Sequence, residues 1–196
     1  MTISTYTELQ TAVASWLHRT DMTTVIVDCI ALAESKFNRR LRTKQQETAL
    51  ASTVINASYQ VAIPTNTLAV RRIWRTGSPV VPLDVNNLDY VMPRQTAAGL
   101  AYAYAWEGAN WRFDGTGTVA GVLYRNIPAL SGTATNWLLT SYPDAYLYAT
   151  LAECAVYTGD AESLATWEAR AEQKLADINI TEAKDSFTGA LRVKAG

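Results

Sequence analysis

Histidine is almost absent from this 196-residue sequence, and that scarcity closes off several chemistries at once. His18 stands alone, with no Cys, Asp or Glu at ligand spacing, so it reads as a surface or packing residue and a multi-histidine metal centre cannot be built. A Ser/His/Asp triad would have to recruit that same residue, and no Gly-x-Ser-x-Gly elbow occurs. Neither Cys-x-x-Cys nor His-Glu-x-x-His is present, so no metal or other cofactor is expected. Gly115-x-Gly117 lacks the third glycine and the following helix of a phosphate cradle. The two cysteines, Cys29 and Cys154, lie far apart in helix-like segments and read as buried thiols of a reducing compartment. No apolar run approaches the roughly 20 residues that span a bilayer, so no membrane partner is expected. The opening Met1–Tyr6 has neither a basic nor an apolar leader region, so no signal peptide is expected. Charge of one sign is lacking too: 17 Lys+Arg against 18 Asp+Glu give −1, unlike a basic nucleic-acid coat or an acidic disordered chain.

What is present is a globular pattern in three blocks. Thr5-x-x-Glu8 is a capping box, and Leu9, Val13, Trp16 and Leu17 follow on one helical face. After Thr20-Asp21, Thr23 and Thr24 are positioned to cap a second helix with the stripe Ile26, Ile30, Ala33, Phe37 and Leu41. From about Glu47 the period becomes two. Leu100, Tyr102, Tyr104 and Trp106 alternate with Ala101, Ala103 and Ala105, large residues on one side and alanines on the other, which predicts a strand packed on one face. Segments at 59–63, 70–74, 80–85, 111–113 and 119–124 read as further strands, 86–92 as a short helix closed by Pro93, and Asp114-Gly115 as a hairpin turn. Ser141-x-x-Asp144 reads as the cap of a third helix, apolar around most of its circumference and closed by Gly159. Asp160 opens a fourth, with the stripe Leu164, Trp167, Ala171, Leu175 and Ile178. The fold expected is α+β. An N-terminal helical hairpin (1–46) and a C-terminal helix pair (139–185) form a bundle, with a small antiparallel β domain between them (47–138) and an extended arm after them (186–196).

Charge is segregated along this neutral chain. Residues 36–75 carry eight cations and one acid, +7, concentrated in Lys36, Arg39, Arg40, Arg42 and Lys44. Residues 142–185 carry nine acids and three cations, −6. Three readings stand side by side: two solvated faces, complementary contact between copies in a ring, or phosphate contact by the basic cluster. Only Phe37 is aromatic within that cluster, so any DNA contact would be without sequence readout. Paired carboxylates suffice for glycoside hydrolysis, so Glu8, Asp21 and Glu34 are the candidates for a hydrolase, with capping and solvation as the plainer role. The arm, with Phe187, Leu191 and Val193 as anchors, reaches roughly 40 Å if extended. Burying those three side chains stabilises by about 5–9 kcal/mol. Ordering the backbone costs about 1–2 kcal/mol per residue. One arm binds weakly, and many arms on a multimeric partner bind firmly.

Several segments together resemble a known family. Thr7-Glu8-Leu9-Gln10, Trp16-Leu17-His18-Arg19-Thr20-Asp21, Ile30-Ala31-Leu32-Ala33-Glu34 and Asn38-Arg39-Arg40-Leu41-Arg42 resemble the opening of tailed-bacteriophage head-to-tail adaptor proteins of the short-tailed type. Tyr142 to Tyr148, Leu151-Ala152-Glu153, Gly159-Asp160 and Trp167 continue the match in order. The resemblance implies a non-enzymatic virion structural protein, made in the host cytoplasm and placed at the portal vertex. There it would form a ring, usually of twelve copies, that joins the portal protein to the downstream tail component (nozzle or tail tube) and lets genomic dsDNA pass. Carried over, 186–196 would be the portal-binding arm, with Arg192 and Lys194 pairing with portal acids. Lys36, Arg39, Arg40, Arg42 and Lys44 would be a subunit-interface or DNA-channel cluster. The alternatives are a peptidoglycan hydrolase of the tail and a nucleic-acid-binding module.

Overall fold

A computed structural model describes residues 3–186. Among them are six α-helices: α1 (Tyr6–Leu17), α2 (Thr23–Arg40), α3 (Leu88–Val91), α4 (Trp137–Ser141), α5 (Pro143–Thr158) and α6 (Ala161–Ser186). The strands are β1 (Glu47–Val54), β2 (Gln60–Ala62), β3 (Thr67–Arg75), β4 (Val81–Pro82), β5 (Asp84–Val85), β6 (Ala103–Glu107), β7 (Asn110–Phe113) and β8 (Thr118–Arg125). The fold is α+β, and the described chain divides into two compact units. A helical unit takes the residues up to Gln45 and from Ile127 onward, and a β-rich unit takes Gln46–Asn126.

The helical unit starts as its sequence dictates. Thr5 Oγ1 accepts from Glu8 N–H while Glu8 Oε2 accepts from Thr5 N–H, the reciprocal capping box. Ile26, Ile30, Ala33, Phe37 and Leu41 are all buried, as the 3.6-residue spacing requires. α5 is buried on several sides, from Ala145 and Tyr146 through Ala149, Leu151 and Ala152 to Cys154 and Ala155. Gly159 closes it at φ 71, a left-handed conformation that costs glycine little. Asp160 Oδ1 then accepts from Ser163 N–H to start α6, whose Ala171, Leu175 and Ile178 are buried.

Two expected caps are corrected. α2 begins at a buried Met22 that makes no side-chain cap bond, so packing and not Thr23 or Thr24 sets its start. Ser141 ends a separate short helix, α4, which is capped by Asn136 accepting from Leu139 N–H. Pro143 disfavours helical geometry at the residue before it, so the break falls at Tyr142 (φ −137, ψ 62) and Pro143 opens α5. The stretch 127–138 was expected within the β region. Ile127, Leu130 and Leu138 instead pack in the helical core.

The β-rich unit holds two four-stranded sheets, ordered β1-β8-β3-β4 and β2-β7-β6-β5. β8 is central to the first, antiparallel to both β1 and β3, while β5 pairs parallel with β6, so the second sheet is mixed. The hairpin turn is Gly108-Ala109 between β6 and β7. Asp114-Gly115 is not one, because β7 and β8 belong to different sheets. Asp114 Oδ1 instead accepts from Tyr102 and Ala103 N–H, and a Cβ on Gly115 would sit 2.7 Å from Gly99 O, so this is a backbone crossing that only glycine fits.

In the alternation around β6 it is the alanine face that packs. Ala101, Ala103 and Ala105 are buried, with Val91 of α3 in the same small cluster as Ala103 and Ala105. The alanine face leaves room for a helix, and of the bulky residues only Tyr104 is buried. The main core joins Leu50, Ile73, Trp111, Phe113, Val119 and Leu123.

The tightest backbone approach in the first sheet is at Gly121, where a Cβ would meet Arg72 O at 2.6 Å and Ile73 Cγ1 at 3.2 Å. Gly121→Ala is expected to lower stability by about 1–3 kcal/mol in denaturant unfolding. Gly132→Ala, whose nearest neighbour would be Ala129 O at 3.8 Å, should stay within about 0.5 kcal/mol of the parent.

Candidate functional site

The basic cluster runs from the last turns of α2, where cations such as Arg39 and Arg40 suit the helix macrodipole, into the residues just after it. Much of its charge is answered inside the helical unit. Lys36 Nζ lies 3.0 Å from Glu172 Oε1 and 3.7 Å from Glu168 Oε1 on α6, and Arg40 pairs with the other oxygen of Glu172. Arg42 folds back onto the helix end, donating to Asn38 O at 2.8 Å and to Leu41 O. Lys44 N–H donates to Glu182 Oε2 at 2.8 Å. Arg39 is exposed and makes no ion pair within the described residues. The segregated charges of the sequence thus meet partly within one chain, and Arg39 is left to solvent.

Burial raises Glu172, but hydrogen bonds from Arg40 and Lys36 outweigh it and hold the carboxyl below its ordinary 4.5. The group contributes stability above that ordinary value and loses it as pH falls through the lower folded one.

The three carboxylates considered for hydrolysis are each engaged. Glu8 belongs to the capping box, and Asp21 forms a bidentate pair with Arg19. Glu34 is 7% exposed, and its Oε1 accepts from Leu130 N–H at 2.8 Å and from Tyr146 Oη at 3.3 Å. Burial pushes Glu34 up, and the two hydrogen bonds offset this only in part. Among the described residues no three His, Cys, Asp or Glu side chains gather as a metal site, and no helix is long and apolar enough to cross a membrane. His18 closes α1 in a left-handed conformation (φ 51) and borders a groove of about 560 Å³ between α1 and the start of α2, mostly apolar in surface although Thr7, Thr11, Ser15 and Thr23 line it.

An aromatic surface joins three helices that the sequence showed only as separate stripes. Tyr148 and Trp167 stack at 5.9 Å, Trp16 meets both edge-on at 6.1 and 5.5 Å, and Arg170 lies over Trp167 at 5.4 Å. Phe187, Leu191, Arg192, Val193 and Lys194, the expected arm residues, lie outside the described residues.

With these side chains bound up in caps, pairs and packing, the comparison with known families decides the identity. A family model described as SU10 adaptor protein matches residues 4–194. The chain belongs to the SU10 adaptor protein family. This agrees with the head-to-tail adaptor resemblance of its sequence and makes it a phage structural adaptor. No curated protein matches it. The match covers both units of this SU10 adaptor, helical and β-rich alike.

Two carboxylates should pull the stability profile in opposite directions. Against Glu172→Gln, the native protein's advantage should be full above about pH 4.5 and vanish as the solution is acidified further. Glu34 has a raised folded value, so its contribution is full below the ordinary 4.5 and is lost as pH rises through the folded one. Glu34→Gln keeps an acceptor without the charge. Its stability relative to the parent should therefore climb as pH rises above about 4.5 in urea titrations. A flat difference across that window would disprove the assignment for Glu34, and the same flatness below it would do so for Glu172.

Proposed function

We propose that this SU10 adaptor works as a ring between the portal and the tail of a phage virion, at the portal vertex, extending the channel through which DNA passes. The observation that carries the reading is the family match over nearly the whole chain. Residues 186–196 are the portal-binding arm, with Phe187, Leu191 and Val193 as apolar anchors and Arg192 and Lys194 facing portal acids. Weak single arms become firm attachment when many engage one ring, since each later contact is intramolecular. Within the basic cluster, exposed Arg39 is the residue we assign to meet a neighbouring copy or passing DNA, because Lys36 and Arg40 already pair with α6 and Arg42 is turned onto the end of α2. A cation that contacts DNA here adds phosphate attraction and no sequence readout.

Sedimentation of the purified chain, alone and mixed with its cognate portal ring, tests the assembly. The expected result is a stoichiometric ring on the portal, lost on deleting 186–196 while the truncated chain keeps its circular dichroism spectrum and unfolding midpoint. Absence of association at every salt concentration would overturn the adaptor ring. Unchanged attachment of the truncated chain would overturn the arm.

A further inference from the structure

The first sheet has two unlike faces. Leu50, Ile73, Val119 and Leu123 point into the core of the β-rich unit. Alternation along the paired strands puts Ala49 of β1, Ala69 and Trp74 of β3, and Ala120, Val122 and Tyr124 of β8 on the other side. Trp74, Val122 and Tyr124 are half-buried there, and Ala49 is exposed. Strict alternation would send Arg71 and Arg72 to opposite faces. β3 is irregular between Val70 and Arg72, however, and an extra residue in a strand breaks the alternation. Arg71 accordingly pairs with Glu47, the residue opposite Tyr124, while Arg72 lies opposite Val122. Two guanidiniums and two aromatic rings therefore share the outer face.

Their arrangement is ordered along β8. Trp74 sits beside Ala120, and Tyr124 stands four positions on, so the rings are about 13 Å apart along the strand. Arg72 lies beside the residue midway between them, Val122. Arg72 is exposed and makes no ion pair among the described residues, and the one acid on this face, Glu47, is taken by Arg71. The helix α3 serves the other sheet, where Val91 meets Ala103 and Ala105. A sheet face that carries rings with cations between them suits a strand whose bases are free to stack and whose phosphates are free to pair.

We propose that the outer face of the first sheet binds single-stranded DNA. Trp74 and Tyr124 each stack one base, and Arg72, with Arg71 close by, meets the phosphates that run between them. Stacking on a ring accepts any base, so the site is tolerant of sequence. A duplex keeps its bases stacked on one another and offers this face only phosphates, so it binds less well. RNA is disfavoured for a different reason. Its 2′-hydroxyls would lie against Ala49, Ala69, Ala120 and Val122, whose side chains cannot hydrogen-bond them, and a hydroxyl covered without a partner costs free energy. The site is a property of the single chain and does not rest on the ring proposed above.

The test is fluorescence anisotropy of the full-length protein with labelled oligothymidylate of about 16 nucleotides, titrated over a range of salt. The parent should bind it more tightly than oligouridylate or a DNA duplex of the same length. Trp74→Ala and Tyr124→Ala should each weaken binding by about 5- to 150-fold. Arg72→Ala, at an exposed position, should lower the slope of log affinity against log salt by about 0.7. No binding of oligothymidylate at low salt would overturn the proposal. So would duplex or RNA bound as tightly as the single strand, or an Arg72→Ala variant with unchanged affinity and salt slope. Self-association of the parent that Arg72→Ala abolishes, with no oligonucleotide bound, would overturn it too and assign the face to a second copy. The comparison of nucleic acids needs only the parent protein, so it decides even where a ring variant folds poorly.

Discussion

A buried carboxylate interrupts the apolar stripe of α2, and the helical unit is organised around it. Glu34 lies between Ile30 and Phe37, where a continuous core would place another aliphatic side chain. Its Oε1 accepts from Leu130 N–H and from Tyr146 Oη. Asn136 Nδ2 donates to Tyr146 Oη at 2.7 Å and to Pro128 O at 2.8 Å, while Asn136 Oδ1 caps α4. One turn further along α2, Asn38 Oδ1 accepts from Ile127 N–H at 2.8 Å. The segment leaving the β-rich unit has no regular partner for its backbone groups. An unmet buried N–H costs about 1–3 kcal/mol, so these side chains are what allow that segment to enter an apolar core. Phe37 meets Tyr146 edge-on at 4.8 Å and fixes the ring whose hydroxyl completes the network.

The same long-range logic governs the charges. Lys36 and Arg40 are two of the most conspicuous cations in the sequence, yet they belong to an intrachain contact with Glu168 and Glu172. Such pairs add little when fully exposed. Lys36 has a side chain only 16% exposed, and there the pair holds α2 and α6 in register more firmly than a surface pair would. Lys174 with Asp144 repeats the arrangement between α6 and the start of α5. A run of like charge in sequence is therefore a poor guide to a binding face until its partners are known. In this cluster Arg39 is exposed and makes no ion pair among the described residues, while Arg42 is turned onto backbone carbonyls.

What the sequence made legible was local. The capping box at Thr5, the left-handed cap at Gly159 and the stripe of α2 depend on residues within a turn or two of one another, and the structure has all three. The misreadings have a common origin in contacts from far away. Thr23 and Thr24 looked like caps because the packing of Met22 was invisible. Asp114-Gly115 looked like a hairpin because nothing nearby shows that β7 and β8 join different sheets. The alternation at 100–106 gave the period of β6 but not the helix that covers its alanines. For the candidate site, the basic residues were legible and their acidic partners, some 130 positions on, were not. The family resemblance was legible because it rests on the order of many short segments, each local.

A helical unit assembled from the two ends of a chain faces an entropic problem, since every contact between its halves must close a loop through the insertion. That cost grows only slowly with loop length, but it comes before the contacts that offset it. The β-rich unit reduces it by its own topology. Its first strand pairs with its last, Glu47 opposite Tyr124, and Gln46 Nε2 donates to Arg125 O at 3.3 Å. The chain therefore enters and leaves the insertion side by side. For the halves of the helical unit, the folded insertion acts as a short connection instead of a loop of 81 residues. Gly121 matters to this because it lies on β8, opposite Leu50 of β1, where the backbone of β3 also comes close. A side chain there strains the sheet that keeps the two ends of the insertion together. The Glu34 network and the α2–α6 ion pairs both connect residues on opposite sides of the insertion, so each is favoured by the pairing of β1 with β8.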